Sequence, residues 1–137
     1  MKPKSFLQAA LLGLVLALLL ATAASAAPGP AEFPTGTFQT FVGRTQFTIT
    51  LAADGDYKVS VNRALIVDGQ HSVENDVLTL VDHSGPGACL GQIEILGRYT
   101  WSFDGRQLTL SLIEDPCAGR RALAASPWTS ATPALTH

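Results

Sequence analysis

Asp82, His83 and Ser84 are the residue types of a serine-hydrolase triad, and they stand next to one another in the chain. A working triad is assembled from distant segments, because three adjacent residues cannot direct their side chains into one proton relay. In a strand, Asp82 and His83 point to opposite faces of the sheet, and the sequence contains no Gly-x-Ser-x-Gly nucleophile elbow. We therefore predict that Asp82 and Ser84 end a strand and hydrogen-bond local backbone amides.

A glycine-rich stretch at residues 85–91 and an acidic pair further along suggest two other chemistries. Residues 85–91 lack the Lys-Ser or Lys-Thr ending of a phosphate loop, and no helical pattern follows to present its N-terminus to a phosphate. Glu114 and Asp115 are adjacent acids, but nothing fixes a second carboxylate at the separation that glycoside hydrolysis requires. These patterns predict a loop and a turn, and no catalytic residue.

The histidines His71, His83 and His137 do not have the spacing of a zinc site. His71 and His83 could meet across neighbouring strands beside Asp82, but surface histidines are far more common than such sites. Residues 54–56 read Asp-Gly-Asp and lack the other ligands of a calcium loop, so a turn is the better interpretation. We predict that the protein holds no metal and no cofactor.

The clearest structural element is an alternating pattern on both sides of Asp104-Gly105. One face of the first arm carries Tyr99, Trp101 and Phe103, and one face of the second carries Leu108, Leu110 and Leu112. The Asp-Gly pair is typical of a type I′ turn, in which both central residues have positive φ. The pattern predicts a β-hairpin.

Short alternating runs of the same kind recur at intervals of about ten residues from Gly36 onward. Turns are predicted at Asp54-Gly55, Asn62-Arg63 and Asp68-Gly69. Six to eight short strands favour an antiparallel up-and-down β-barrel of about eight strands, since closure removes exposed hydrophobic edges. A two-sheet sandwich would satisfy the same pattern. Residues 120–125 form either one helical turn or a last irregular strand.

The predicted inward face of the barrel is mainly apolar. It comprises Phe47, Ile49, Tyr57, Val59, Leu78, Leu80, Tyr99, Trp101, Leu108 and Leu110. Tyr99 and Trp101 would be the best platform for a ligand, because aromatic rings offer a large apolar area with a polar edge. Tyr57 and Arg120 complete the candidate binding residues. We expect Arg120 to stack on an aromatic ring or close the end of the barrel, with anion binding as the alternative. The interior of so small a barrel is either filled by side chains or holds one small ligand.

The first 26 residues have the features of a signal peptide. A basic start with Lys2 and Lys4 precedes an apolar run, and Ala24-Ser25-Ala26 offers the small residues of a cleavage site. An uncleaved membrane anchor is the alternative. After the signal peptide we predict a flexible lead-in at 27–35, one barrel domain at 36–128 and a disordered tail at 129–137.

Charge and cysteine content limit the compartment and the partners. Without Lys2 and Lys4, seven basic residues remain against 11 acidic ones, a net charge near −4. The chain therefore has no basic stripe for nucleic acid or for an anionic membrane. An exported chain whose two cysteines are Cys89 and Cys117 most simply forms one disulfide, with two unpaired thiols as the alternative. We expect a secreted or periplasmic monomer.

Three motifs in the second half resemble a small lipocalin-like family of secreted proteins. They run from Asp82 through Gly85-Pro86 to Cys89, then over Gly97-Arg98-Tyr99-Thr100-Trp101, then from Asp115 through Cys117 to Arg120. The resemblance spans roughly residues 36–128 and implies an eight-stranded barrel, a Cys89–Cys117 disulfide and binding of a small apolar ligand. The chain departs from the pattern at Phe38, where typical lipocalins have tryptophan, and at His71, where the family often has an aromatic residue.

We predict a non-catalytic domain that binds a small, mainly apolar ligand. One alternative is a protein-binding module such as a secreted protease inhibitor, with the proline-rich arm of residues 27–34 as the inserted segment. Small exported barrel inhibitors of bacterial metalloproteases share the size and the single disulfide. A barrel enzyme acting on an apolar substrate is the second alternative, for which a pocket with a clustered acid or histidine of perturbed pKa would argue.

Overall fold

The computed structural model describes residues 31–131, which form a closed antiparallel β-barrel with one short helix. The elements are β1 (Gly36–Val42), β2 (Thr45–Leu51), β3 (Asp56–Val61), β4 (Ala64–Glu74), β5 (Val77–Ser84), β6 (Leu96–Phe103), β7 (Gln107–Glu114), α1 (Ala118–Ala124) and β8 (Trp128–Ser130). Each strand pairs with its neighbours in sequence, and β1 also pairs with β8. The predicted up-and-down barrel of eight strands is confirmed. The predicted signal peptide, residues 1–26, lies outside the described residues.

Because consecutive strands are antiparallel, the connections alternate between the two ends of the barrel. The α1 end carries the turns at residues 43–44 and 62–63, the loop 85–95 and α1 itself. The opposite end, which we call the N-terminal end, carries the connections at 52–55, 75–76 and 104–106 together with residues 31–35. The two ends are therefore built from different parts of the chain.

Alternating side chains from the strands fill the core, as the sequence pattern predicts. Eight of the ten predicted inward residues are buried, and the other two, Phe47 and Trp101, are partly buried against the core. The core also includes residues outside that set, namely Phe38, Leu51, Val67, Ala124 and Trp128. Because successive side chains of a strand point to opposite faces, one face of each strand lies inside the barrel and its residues are buried.

The predicted type I′ turn at Asp104-Gly105 is wrong, although the hairpin itself is present. Only Gly105 has positive φ, at 94°, and the Asp104 carboxylate accepts hydrogen bonds from the amides of Arg106 at 2.8 Å and Gln107 at 2.6 Å. The aspartate side chain thus shapes a three-residue connection. Asn62 and Arg63, at φ 48° and 72°, are adjacent residues that both have the positive φ required by a type I′ turn.

The predicted turn at Asp68-Gly69 is also wrong, because β4 continues through it for 11 residues. At Asp68 and Gly69 the chain does not reverse, and the pairing of β4 with β5 shifts its register there. Gly69 packs so closely that an added Cβ would collide with the carbonyl oxygen of Val81 and the ring of Tyr57. This glycine is therefore required for close approach within the sheet and not for reversal of the chain.

The C-terminal part of the barrel differs from the predicted boundaries. Residues 118–124 are helical, with Cys117 at the N-cap position. Trp128 then begins β8, which pairs with both β1 and β7 and closes the barrel. The tail predicted to begin at residue 129 instead contributes Thr129 and Ser130 to this strand.

Candidate functional site

The barrel holds a cavity of about 350 Å³ at its α1 end, and the cavity is partly open to solvent. Its apolar wall is formed by Val42, Phe47, Ile49, Val59, Ile66, Val67, Leu80, Leu110, Ala122, Leu123, Ala124 and Trp128, with Gly87 and Gly119. Tyr57, Asp82 and Arg120 supply the polar atoms. A cavity of this size lies within the range of small-molecule sites. At about 30 Å³ per water molecule in the liquid, it has room for about 12 non-hydrogen atoms.

Arg120 is the centre of a buried polar cluster beside this cavity. The residue is only 8% exposed, although arginine is rarely buried without partners. Its Nε lies 2.6 Å from Asp115 Oδ2, and its Nη1 lies 2.9 Å from Asp82 Oδ1. Its Nη2 donates to Asp115 Oδ1 at 2.9 Å and to the carbonyl oxygen of Ile95 at 2.8 Å. The guanidinium therefore joins strand β5, the loop before β6 and the segment after β7.

Asp82 and Asp115 have the same kinds of partner. Each accepts a hydrogen bond from a tyrosine hydroxyl, Tyr57 for Asp82 and Tyr99 for Asp115. Each also accepts one from the backbone amide of a cysteine at 2.8 Å, Cys89 and Cys117 respectively. Those two cysteines form the disulfide, as predicted, so the segments that hold the two carboxylates are joined both through Arg120 and by the disulfide.

Burial and pairing have opposite effects on the pKa values in the cluster. Burial by itself would raise the pKa of Asp115, but hydrogen bonds from Arg120, Tyr99 and the Cys117 amide outweigh it and hold that pKa below its ordinary value. Burial would lower the pKa of Arg120, but its two carboxylate partners raise it. Burial and the adjacent Asp115 carboxylate both raise the pKa of Tyr99. The ion pair between Asp115 and Arg120 is therefore maintained across the physiological pH range.

Gly97 explains why the cluster packs so tightly. An added Cβ at this position would meet both the Asp115 carboxylate and Arg120 Nε. Gly97 is the first residue of the Gly-x-Tyr-x-Trp motif, and Tyr99 of the same motif donates to Asp115. The three motifs noted in the sequence thus converge on one structure. The sequence reasoning missed the partners of Arg120, although an aspartate at the start of two of those motifs was the signal for them.

The four predicted ligand residues lie in different places. Tyr57 and Arg120 line the cavity. Tyr99 is fully buried and belongs to the polar cluster, outside the cavity wall. Trp101 is partly buried at the N-terminal end. The tryptophan of the cavity wall is Trp128 and not Trp101.

The N-terminal end is closed by aromatic rings. Phe33 packs edge-on against Trp101 with ring centroids 5.1 Å apart, and it lies 5.7 Å from the ring of His71. Burial lowers the pKa of His71, against weaker opposing effects of the Asp56 and Gly55 backbone and the Asp54 charge. The predicted lead-in therefore includes a residue that packs onto the barrel.

The described part of the chain offers no metal site. Its single group of three suitable side chains is Asp82, Cys89 and Cys117, and both thiols are consumed by the disulfide. Among residues 31–131, no helix is long and apolar enough to cross a membrane. Comparisons with protein-family models, with curated proteins and with solved structures gave no match, so the site is interpreted from its own geometry.

Proposed function

We propose that this protein is a lipocalin-like, non-catalytic domain that binds a small, mainly apolar ligand inside its barrel. The observation that carries the proposal is the cavity of about 350 Å³, whose wall is apolar except at Tyr57, Asp82 and Arg120. Empty apolar space of this size is destabilising, because the atoms around it lose packing contacts. A ligand that displaces water and fills the space would restore packing contacts to the atoms of the wall.

The polar cluster supports a binding role more than a catalytic one. Every oxygen of Asp82 and Asp115 accepts at least one hydrogen bond, and the lowered pKa of Asp115 makes this carboxylate a weak base. A general base needs a pKa near the working pH. The cluster instead holds the cavity wall in place.

The inhibitor alternative places residues 27–34 as the inserted arm. Of this arm, the structure describes residues 31–34, and Phe33 packs against Trp101 and His71. We further propose that the protein acts as a monomer outside the cytoplasm, where its disulfide would be stable.

Butylbenzene is a suitable first probe, because it is uncharged and has ten non-hydrogen atoms. We expect the purified, disulfide-bonded protein to bind it saturably in isothermal titration calorimetry. Val67→Phe, which adds volume to the cavity wall, should weaken binding at least tenfold. Leu65→Phe is the matched control on the same strand, since Leu65 is 48% exposed, and it should leave binding unchanged.

Two results would overturn the proposal. One is the absence of butylbenzene binding by a wild-type protein that unfolds cooperatively. The other is equal binding by wild type and a folded Val67→Phe variant, because the probe would then lie outside the cavity. In either case, the search for function should move to protein partners.

A further inference from the structure

Large exposed apolar side chains are confined to one end of the barrel. Among residues 31–131, all of them lie at the α1 end or on the strand ends next to it. They are the last two residues of β1, Leu65, Leu90, Ile93, Leu96 and residues 112–113. Scattered exposed leucines are ordinary, but a concentration at one end is typical of a surface that contacts a protein or a membrane.

The cavity opens at this same end. Val42, Gly87, Gly119 and Ala122 line the cavity and are also exposed on the surface, so they mark its mouth. Val42 belongs both to the cavity wall and to the exposed apolar set. Apolar surface therefore continues from the inside of the barrel to the outside of its α1 end.

The exposed charges are divided between the two ends. Outside the buried cluster, the α1 end has four arginines against two glutamates, a net charge of +2. The arginines are Arg44, Arg63, Arg98 and Arg121, and the glutamates are Glu94 and Glu114. The N-terminal end has six acidic residues against one arginine, Arg106, a net charge of −5. The acidic residues are Glu32, Asp54, Asp56, Glu74, Asp76 and Asp104.

This division changes the argument from net charge. A net charge near −4 disfavours an anionic membrane as a partner of the whole molecule. The negative charge, however, lies at the end opposite the exposed apolar side chains. The α1 end is positive and apolar, a combination that suits the boundary between anionic headgroups and acyl chains.

We propose that the α1 end docks onto the surface of an anionic phospholipid bilayer, with the mouth of the cavity facing the lipid. Burial of the apolar side chains and attraction of the arginines to the headgroups both strengthen this contact. The acidic N-terminal end is repelled and faces water, which fixes the orientation. The inference goes beyond the proposed function, because it assigns the surface across which an apolar ligand reaches the cavity from a bilayer.

A second copy of the chain fits the α1 end less well. Two α1 ends that face each other bring two sets of arginines together, and like charges at an interface are unfavourable. The N-terminal end of another copy has the opposite charge but, within residues 31–131, exposes no large hydrophobic side chain. A bilayer supplies the anionic and the apolar surface together.

Vesicle flotation measures the docking directly. We expect the purified, disulfide-bonded protein to float with vesicles of phosphatidylcholine and phosphatidylglycerol in equal amounts. We expect at least tenfold weaker binding to vesicles of phosphatidylcholine alone, because these lack the net negative charge that attracts arginine. Every variant below has the same N-terminus as the wild type, so differences among them report on the barrel and not on residues 1–30.

The double variant Leu90→Gln, Ile93→Gln tests the apolar contribution. The two side chains are 59% and 81% exposed, so the variant should fold as the wild type does. We expect it to bind the anionic vesicles at least tenfold more weakly, because it removes apolar area that would be buried in the lipid.

A matched pair of single variants tests the charge and the orientation. Arg44→Gln removes one positive charge from the α1 end and should weaken binding to the anionic vesicles about fivefold. Arg106→Gln removes one positive charge from the N-terminal end and is the control, so it should leave binding unchanged. Both arginines are exposed and lie in connections between strands.

The proposal fails if the folded wild-type protein does not float with the anionic vesicles. Equal binding by the wild type and the Leu90→Gln, Ile93→Gln variant, or equal effects of Arg44→Gln and Arg106→Gln, would also overturn it. Equal binding to both kinds of vesicle would contradict the preference for anionic lipid. A dimer in sedimentation equilibrium that the double variant lacks, without flotation of the wild type, would assign the α1 end to a second copy. Butylbenzene binding is measured without vesicles, so these outcomes leave the test of the proposed function separate.

Discussion

The two ends of the barrel are closed by different chemistry. At the α1 end, a disulfide, one guanidinium and two carboxylates join α1 to strands β5, β6 and β7. At the N-terminal end, Phe33 packs against Trp101 and His71 without a covalent or ionic link among these three rings. The cavity lies at the end that is fixed covalently.

This difference suggests how a small barrel can keep an open space inside. A cavity destabilises the fold around it, so its walls need contacts that prevent collapse. The disulfide and the hydrogen-bonded ion pairs restrain α1 and the strand ends beside the cavity. The aromatic contacts at the other end lie away from this cavity and carry no such restraint.

Loss of the central cation should have the largest effect. Arg120→Met retains much of the side-chain volume but leaves two buried carboxylates without a cation, which should cost about 3–5 kcal/mol of unfolding free energy. Urea unfolding measures this. Arg98→Met, at an exposed position of β6, is the control and should cost no more than about 0.5 kcal/mol. Equal effects of the two variants would show that the ion-pair cluster does not stabilise the α1 end.

Removal of the disulfide should have the next largest effect. The cysteines are 28 residues apart, and release of such a loop should cost about 3–4 kcal/mol in the loop-entropy description. We expect the Cys89→Ser, Cys117→Ser double variant to lose this amount in urea unfolding. Wild type with reductant should match the double variant. A wild-type midpoint unchanged by full reduction would contradict the importance of this link.

Truncation at the N-terminal end should have a smaller effect. Phe33 is only partly buried, so Phe33→Ala should cost about 1–2 kcal/mol, below the range for a fully buried phenylalanine. Thermal and urea unfolding measure this, with Phe41→Ala as the control, because Phe41 is 61% exposed. A loss for Phe33→Ala as large as that for Arg120→Met would remove the contrast between the ends.

Mild acid should produce the smallest effect, and it should arise at the N-terminal end. The folded protein holds the pKa of His71 below its ordinary value of 6.5, so the unfolded chain binds more protons as the pH falls. Unfolding free energy should therefore decrease between pH 7 and pH 5. His71→Phe should reduce this decrease. A pH slope unchanged in His71→Phe would assign it to other groups.

The α1 end should respond only at lower pH. The pKa of Asp115 lies below its ordinary value of 3.8, so its stabilising contribution is complete above that value and is lost as the pH falls through the folded-state pKa. The two ends thus have separate windows of acid sensitivity.

The fold could be predicted from the sequence because its main signals are local. Alternation over Tyr99 to Leu112 and turn residues between strands specify hairpins, and closure follows from the need to pair the edges. The turn at Asp68-Gly69 could not be predicted correctly, because Gly69 is needed for contacts with Tyr57 and Val81, which are distant in sequence. The same residue type serves a turn or a close approach, and only tertiary structure distinguishes them.

The candidate site was less predictable for the same reason. Alternation correctly placed Tyr57, Tyr99 and Trp101 on inward-facing positions, but it does not specify which inward position borders empty space. That depends on α1, a seven-residue helix with no extended periodic pattern. Arg120 and Asp82 are 38 residues apart, so their pairing depends on the closed barrel.

A crystal structure of the protein saturated with butylbenzene tests the central claim most directly. The claim is that the barrel interior at the α1 end is a binding cavity. We expect density for one probe molecule in contact with Val67, Leu110 and Trp128, with the Arg120 cluster unchanged. An interior collapsed around those residues, or probe density confined to the outer surface, would contradict it.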